Sequence, residues 1–341
     1  SKPLVGRRRN IHQIMSVNLG NVPKHPLDVH KIPLKEGVPK PPVLGIFVGK
    51  RGQGKTVTAT RLLHYYTHHS PPVFQKELVF VISPTAESQQ HLWDHIGVEE
   101  EHIYAVSTPT EIKAIVDDII EILKSKKEKY DEDQEYLEAY DALIHDRQLT
   151  PRQQFLLDMR DCQPLDDPEP WPRPILLLDD LSHLKVLDKA WFISLCLRHR
   201  HVAGGVSLSI LMLVQSLRGG VARVIRQNCS LIILYSTHDQ TAKEDLYAEC
   251  SHLLDKDEFM ALFEHATDQR HDFMSVDLSQ DNKNKVFSRC FEHWYEIDNH
   301  VSSALLQDYR LPDPTLPHVP LHTRSASPRR KNTRKRKAAS K

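Results

Sequence analysis

Eight consecutive residues, Gly49-Lys50-Arg51-Gly52-Gln53-Gly54-Lys55-Thr56, carry the densest chemical signal in the chain. They match G-x-x-x-x-G-K-[ST] in full. Glycines at these places let backbone N–H groups close around phosphate oxygens without a Cβ in the way. The lysine of the motif reaches β- and γ-phosphates, the hydroxyl after it sits on Mg²⁺, and a helix start adds its positive end. The stretch from Gly49 to Thr56, with Val57 behind it, is therefore the candidate nucleotide cradle. Lys55 is its mobile cation and Thr56 one metal ligand. An ordinary glycine-rich turn is the competing reading, and the flanks argue against it. Leu44-Gly-Ile-Phe-Val48 is a short apolar strand, and Val57 to Tyr66 reads as a helix.

Ile175-Leu-Leu-Leu-Asp179-Asp180 is a second apolar strand, closed by two carboxylates. A strand-end Asp suits Mg²⁺ held through water, and a neighbouring carboxylate suits polarisation of the attacking water. Asp179 takes the first role and Asp180 the second. Alone, an Asp-Asp pair is more often a cap or a solvated turn; beside a complete phosphate loop it reads as the other half of a nucleotide site. Ser209-Ile-Leu-Met-Leu-Val-Gln215 is another buried strand, ending in an amide placed to sense a γ-phosphate and orient water. Arg218, Arg223 and Arg226 follow, then Asn228 ahead of the Leu231 strand. One arginine so placed is a candidate finger for phosphoryl transfer, and Arg226 is the first choice. Taken singly, each of these arginines is more often a surface residue. No Asn-Lys-x-Asp guanine reader is present, so ATP is the expected nucleotide.

These residues need a scaffold, and the apolar pattern supplies one. Leu78 to Ile82, Ile103 to Val106, Ile175 to Leu178, Ser209 to Val214 and Leu231 to Leu234 are uniformly apolar runs. Such runs fit parallel strands covered on both faces. Alternating with helical stretches, they give an α/β fold, a doubly wound and mostly parallel sheet. Two strands fall in sequence between the phosphate loop and Asp179. That leaves room for an extra strand between the two motif strands, the mark of ATPases with a catalytic carboxylate. Thr110 and Glu111 open a helix with apolar positions 112, 115, 116, 119, 120 and 123, continuing highly charged to about Asp146. The expected organisation is an extended basic, Pro-rich arm over 1–42, an ATPase domain over 43–300 with a charged helical insertion around 110–163, and a disordered basic tail over 301–341.

The net charge of zero conceals an asymmetry. Residues 324–341 hold nine Lys/Arg and no acid, and residues 1–40 hold eight against Asp28 and Glu36. That leaves 28 basic and 43 acidic residues in 41–323. Basic arms on an acidic body suit a polyanion that the body alone would repel. A solubility tail and a nuclear-import signal around Pro328–Lys337 are alternative readings. Five scattered cysteines argue against a disulfide scaffold. No apolar run approaches the length of a membrane span, and no leader-like segment opens the chain, so neither a membrane nor secretion is expected. Cys250, His252, Cys290 and His293 form at best a weak zinc set. His64, His68 and His69 lie on the helix after the loop, where two share a face.

In order and approximate spacing, Gly49–Thr56, Ile175–Asp180, Ser209–Gln215 and Arg226-x-Asn228 resemble the FtsK–HerA class of P-loop ATPases. Within that class the likeness is greatest to the poxvirus-type genome-packaging ATPases of large double-stranded DNA viruses and virophages. Arg198-His199 and Arg200-His201 stand where that family has an Arg-His pair, although Gly204-Gly205 lengthens the distance to Gln215. The resemblance covers residues 43–240. It implies a RecA-like, additional-strand sheet using ATP and Mg²⁺. It also implies a homo-oligomeric ring of five or six subunits acting on double-stranded DNA, with capsid or portal-vertex proteins as partners. The implied location is the host nucleus, a cytoplasmic virus factory or the virion. Two other classes stay open: a further P-loop ATPase or phosphotransferase (helicase-like or nucleotide kinase), and a DNA-binding assembly protein with a regulatory nucleotide site.

Overall fold

The computed structural model describes residues 32–35, 37–280, 282–295 and 308–310. One ten-stranded sheet organises them, in the order β10-β9-β8-β7-β6-β1-β5-β4-β2-β3. Six strands run parallel: β1 (Leu44–Val48), β2 (Val79–Ser83), β3 (Ile103–Ala105), β4 (Ile175–Asp179), β5 (Ser209–Val214) and β6 (Leu231–Tyr235). Every residue of β1, β2, β4, β5 and β6 is buried, which is why their sequences show no alternation.

Helices cover both faces, as a doubly wound sheet requires. Phe47, Val81, Leu177, Leu213 and Ile233 point to the side of α1 (Lys55–His68) and α2 (Gln90–Ile96). Ile46, Leu178 and Met212 point to the other side. There they meet α3 (Pro109–Ile144), α5 (Ala190–Arg198), α6 (Arg223–Asn228), α7 (Gln240–Cys250) and α8 (Lys256–Ala266). Each large apolar side chain taken from water here stabilises the fold by roughly 1.5–3 kcal/mol.

The strand between β1 and β4 is β5, with Leu44 paired to Ile210 and Leu178 to Met212. The two strands that precede Asp179 in sequence, β2 and β3, lie outside β4 instead. The inserted strand is therefore β5, which ends at Val214 and leads into Gln215. Beyond β6 the sheet continues antiparallel through β7 (Phe273–Asp277), β8 (Phe287–Arg289), β9 (His293–Tyr295) and β10 (Asp308–Arg310).

The charged insertion is a helical hairpin of α3 and α4 (Pro151–Met159). Pro109 starts α3, and Thr108 and Glu111 cap it reciprocally. Its first turns pack Ile112, Val116, Ile119 and Leu123 on the sheet. Further along, Tyr136 and Ala139 pack against Leu156 and Leu157 of α4, a small core of their own. Asp133 is buried within it, accepting from Arg160 at 2.9 Å and from the Glu169 backbone at 2.8 Å. Residues 37–42, read from sequence as arm, pack on the domain. Pro39 and Pro41 are buried, and the Pro39 carbonyl accepts from Tyr66 Oη. The outer parts of both basic ends, including 324–341, lie outside the described residues.

Candidate nucleotide site

The loop from Gly49 to Gly54 joins the C-terminal end of β1 to α1. Gly52 and Gly54 take left-handed φ values of 84° and 98°, conformations that glycine adopts without strain. Helix α1 begins at Lys55, two residues before the sequence pattern indicates, and no side chain caps its first N–H groups. They remain free to meet an anion. A Cβ on Gly49 would come within 2.6 Å of Gln53 Oε1 and 2.8 Å of Tyr235 Cβ. Gln53 fastens the loop by accepting from the Lys50 N–H and donating to the Ser236 carbonyl. Lys50, Arg51 and Val57 are exposed around it.

Lys55 is buried, and its Nζ donates to the carbonyls of Gly49 at 2.7 Å and Lys50 at 3.2 Å. Burial pushes its pKa below the usual lysine value, against the opposing pull of Asp179 and Asp180. Thr56 Oγ1 donates to Asp179 Oδ2 at 3.0 Å, joining the two residues read as metal holders. Burial raises the Asp179 carboxyl pKa, and the Thr56 hydroxyl and Lys55 counter it. Asp180 turns out of the strand with a left-handed φ of 53°, a region that Asp enters more readily than most residues. Its Oδ1 accepts from Gln215 Nε2 at 2.9 Å, across the ends of β4 and β5. The structure thus brings Lys55, Thr56, Asp179, Asp180 and Gln215 together at the C-terminal ends of β1, β5 and β4.

Arg226 is placed differently. It is buried on α6, where Nε donates to Glu249 Oε1 at 2.8 Å and Nη1 to the Val221 carbonyl at 2.7 Å. Both contacts tie α6 to its own chain, to α7 and to the turn before α6. The arginine read from sequence as a finger is thus engaged within its own chain, and the exposed arginine of α6 is Arg223. The Arg-His element also lies elsewhere. His199 is buried and bonded through Nδ1 to the Leu208 carbonyl, at the opposite end of β5 from Gln215. Cys250, His252, Cys290 and His293 supply no three ligands to one ion. The one grouping of that kind among the described residues is Glu99, Glu101 and His102.

Two neighbours of the site have no motif to announce them. His271, at the turn into β7, sits against the loop, its Nδ1 3.5 Å from where a Cβ on Gly54 would be. Gln89, in the 3-10 turn after β2, is one of the groups that lower the Asp179 pKa, and its Oε1 is enclosed without a hydrogen-bond partner. The Thr56 hydroxyl and the Asp179 carboxylate, 3.0 Å apart, are oxygen donors of the kind that a hard cation with its waters takes. The residues present fit Mg²⁺.

A glycine-rich loop between β1 and α1, with an Asp-ended strand one strand removed, defines a P-loop nucleotide-binding fold of the RecA-like, additional-strand type. No protein-family model and no curated protein sequence matches the chain. Among solved structures it is similar to the genome packaging NTPase B204 from Sulfolobus turreted icosahedral virus 2, in complex with AMPPCP. The identity is 11%, the TM-score 0.36, and the match covers 72% of this chain and 96% of that one. It is also similar to the cytoplasmic domain of the Thermomonospora curvata type VII secretion ATPase EccC, at 14% identity and TM-score 0.34 over 72% and 24% of the two chains. A third is the pCW3 conjugation coupling protein TcpA, at 14% and 0.34 over 72% and 58%. The fold assignment rests on the loop, the strand order and the carboxylates of this chain.

Proposed function

We propose that the chain is an ATP-hydrolysing motor that translocates double-stranded DNA and packages a viral genome into a capsid, working as a ring of five or six subunits. The observation that carries this reading is the Gln215–Asp180 contact at 2.9 Å, set beside the Thr56–Asp179 contact at 3.0 Å. A binding module needs the second of these. Hydrolysis also needs a carboxylate held in place to take a proton.

Loop amides and the start of α1 receive the phosphates, and Lys55 exchanges its two loop carbonyls for β- and γ-phosphate oxygens. Thr56 and Asp179 would hold Mg²⁺, which when bound neutralises charge on those oxygens. Gln215 fixes the Asp180 carboxylate and orients the attacking water beside it. The water oxygen bonds to the γ-phosphorus, its proton passes to Asp180, and the bond from γ-phosphorus to the bridging oxygen breaks. ADP leaves with that oxygen. Arg223, exposed on α6, is the arginine available to a neighbouring subunit's γ-phosphate. The basic ends supply the grip on DNA, and capsid or portal-vertex proteins are the further partners. A host nucleus, a virus factory or the virion is the matching location. Among the described residues no helix is long and apolar enough to cross a membrane.

The deciding measurement is phosphate release from Mg²⁺-ATP with and without linear duplex DNA. A rate raised several-fold by duplex is expected. Transfer to a small acceptor would make the protein a phosphotransferase instead. Nucleotide binding without turnover would leave a DNA-binding assembly protein.

A further inference from the structure

We propose that His271 is a nucleotide-contacting residue, its imidazole N–H donating to a phosphate oxygen of the nucleotide held by the Gly49–Thr56 loop. The inference rests on the reading above, that this loop binds nucleotide. It concerns a residue outside every motif in the sequence.

Placement comes first. β7 runs antiparallel to β6, and its first residue, Phe273, pairs with Tyr235, the last of β6. The turn ahead of β7 therefore lies at the C-terminal end of the parallel strands. β6 adjoins β1, whose C-terminal end carries the loop. Tyr235 lies against Gly49, and the Ser236 carbonyl accepts from Gln53. His271 lies against Gly54 in turn. Its Nδ1, Cβ and Cγ are 3.5, 3.8 and 3.9 Å from where a Cβ on that glycine would stand. Gly54 is the N-cap of α1, and no side chain there meets the helix's first N–H groups. The exposed imidazole thus stands beside the amides that suit a phosphate.

Conformation comes second. His271 holds a left-handed φ of 76°. A non-glycine residue is held there at a cost, only where its surroundings impose it, and such residues gather at ligand sites. The imposing group is Arg289 of β8. Its Nη2 donates to Asp268 Oδ1 at 2.6 Å and also to Asp272. Its Nε donates to Asp272 Oδ2 at 3.0 Å and its Nη1 to the His265 carbonyl of α8 at 3.3 Å. The Asp272 N–H closes the turn on the Gln269 carbonyl at 3.2 Å. One guanidinium therefore clasps both carboxylates of the turn, while Arg270 and His271 between them stay exposed. An anion approaching the start of α1 meets donors on this side, and the acids are held in the clasp. A hydrogen bond to an ionised phosphate is of the stronger kind, and losing one changes affinity by about tenfold or more.

The test measures binding of a fluorescent, non-hydrolysable ATP analogue to the full chain, and its displacement by a GTP analogue and by inorganic tripolyphosphate. His271→Ala should weaken all three by about tenfold, because the lost donor faces the phosphates that they share. His271→Asn keeps an N–H donor and enters the left-handed region readily, so it should stay within about threefold of wild type. His271→Gly removes the donor and relieves the backbone. It should melt no lower than wild type and still bind about tenfold more weakly. Weaker binding that comes only with a lowered melting temperature in every variant makes His271 a residue of the fold and overturns the proposal. A loss confined to the ATP analogue, with tripolyphosphate unaffected, overturns the phosphate contact in favour of one to the base. Unchanged affinities in His271→Ala, beside a wild type that binds, overturn this inference alone. A wild-type chain that binds neither the analogues nor tripolyphosphate overturns the nucleotide reading and this inference together.

Discussion

Lys55 and Asp179 sit in a space that disfavours both of their charges, and each is the other's remedy. The two shifts run in opposite directions, so the pH limits of the site close in from both sides. Lys55 has a lowered pKa and so loses its proton, as pH rises, before an ordinary lysine would. Nucleotide affinity in EDTA should therefore fall on an alkaline limb below the usual lysine value of about 10.4. Asp179 has a raised pKa and keeps its proton to a higher pH than an exposed aspartate. Mg²⁺-dependent turnover should accordingly be lost, as pH falls, above the usual value of about 3.9. Isothermal titration across pH and a pH–rate profile check the two limbs. Substitution separates the roles further. Lys55→Ala should weaken nucleotide binding outright, whereas Asp180→Asn should bind normally and turn over slowly; equal loss of affinity in both would show the carboxylate roles to be misassigned. Arg226→Ala is expected to lower the melting temperature, since it strands Glu249 and the Val221 carbonyl at a cost of about 3 kcal/mol. Arg223→Ala should leave the melting temperature alone and lower kcat, and the reverse pattern would return the finger to Arg226.

At the scale of elements, the hairpin of α3 and α4 is a separable unit with its own core. Asp133→Ala removes the acceptor that holds both Arg160 and the Glu169 backbone, at a cost of about 2–3 kcal/mol. Hydrogen exchange should then quicken across α4 while basal phosphate release stays at the wild-type rate. A fall in basal rate would mean that the hairpin braces the site. Legibility also divides by element. The five central strands could be read because full burial on both faces leaves uniform apolar runs. Their spatial order could not, since no periodicity encodes which strand slides between two others. The antiparallel strands escaped notice because β8 and β9 are three residues long and β7 buries Ser275 and Asp277 among its apolar residues. Lys55, Thr56, Asp179, Asp180 and Gln215 announced themselves through motif and strand end. His271 had only a place in space, and Arg226 looked free because its partner Glu249 lies 23 positions away.

Over the whole molecule, an acidic body lies between basic ends in the sequence, and on the proposed function that would separate the chemistry of ATP from the attraction to DNA. Deleting 324–341 removes nine positive charges. If the tail grips phosphates, the slope of log affinity against log salt should become shallower, by up to about 8 units. Phosphate release without DNA should hardly change. An unchanged slope, measured by fluorescence anisotropy on duplex, would leave nuclear import as the tail's account. The 36 residues of α3 also set a dimension for the molecule, about 54 Å at 1.5 Å per residue. Its root rests on the sheet that carries Asp179, and the 21 residues past Leu123 reach about 30 Å further. Leu143, Ile144, Phe155 and Met159 stand exposed on this outer part of the hairpin. In a motor of the kind proposed, an arm of that length would act as a lever: tilting it by about 10° at the sheet would swing its tip about 5 Å, well over the span of one base-pair step along a duplex.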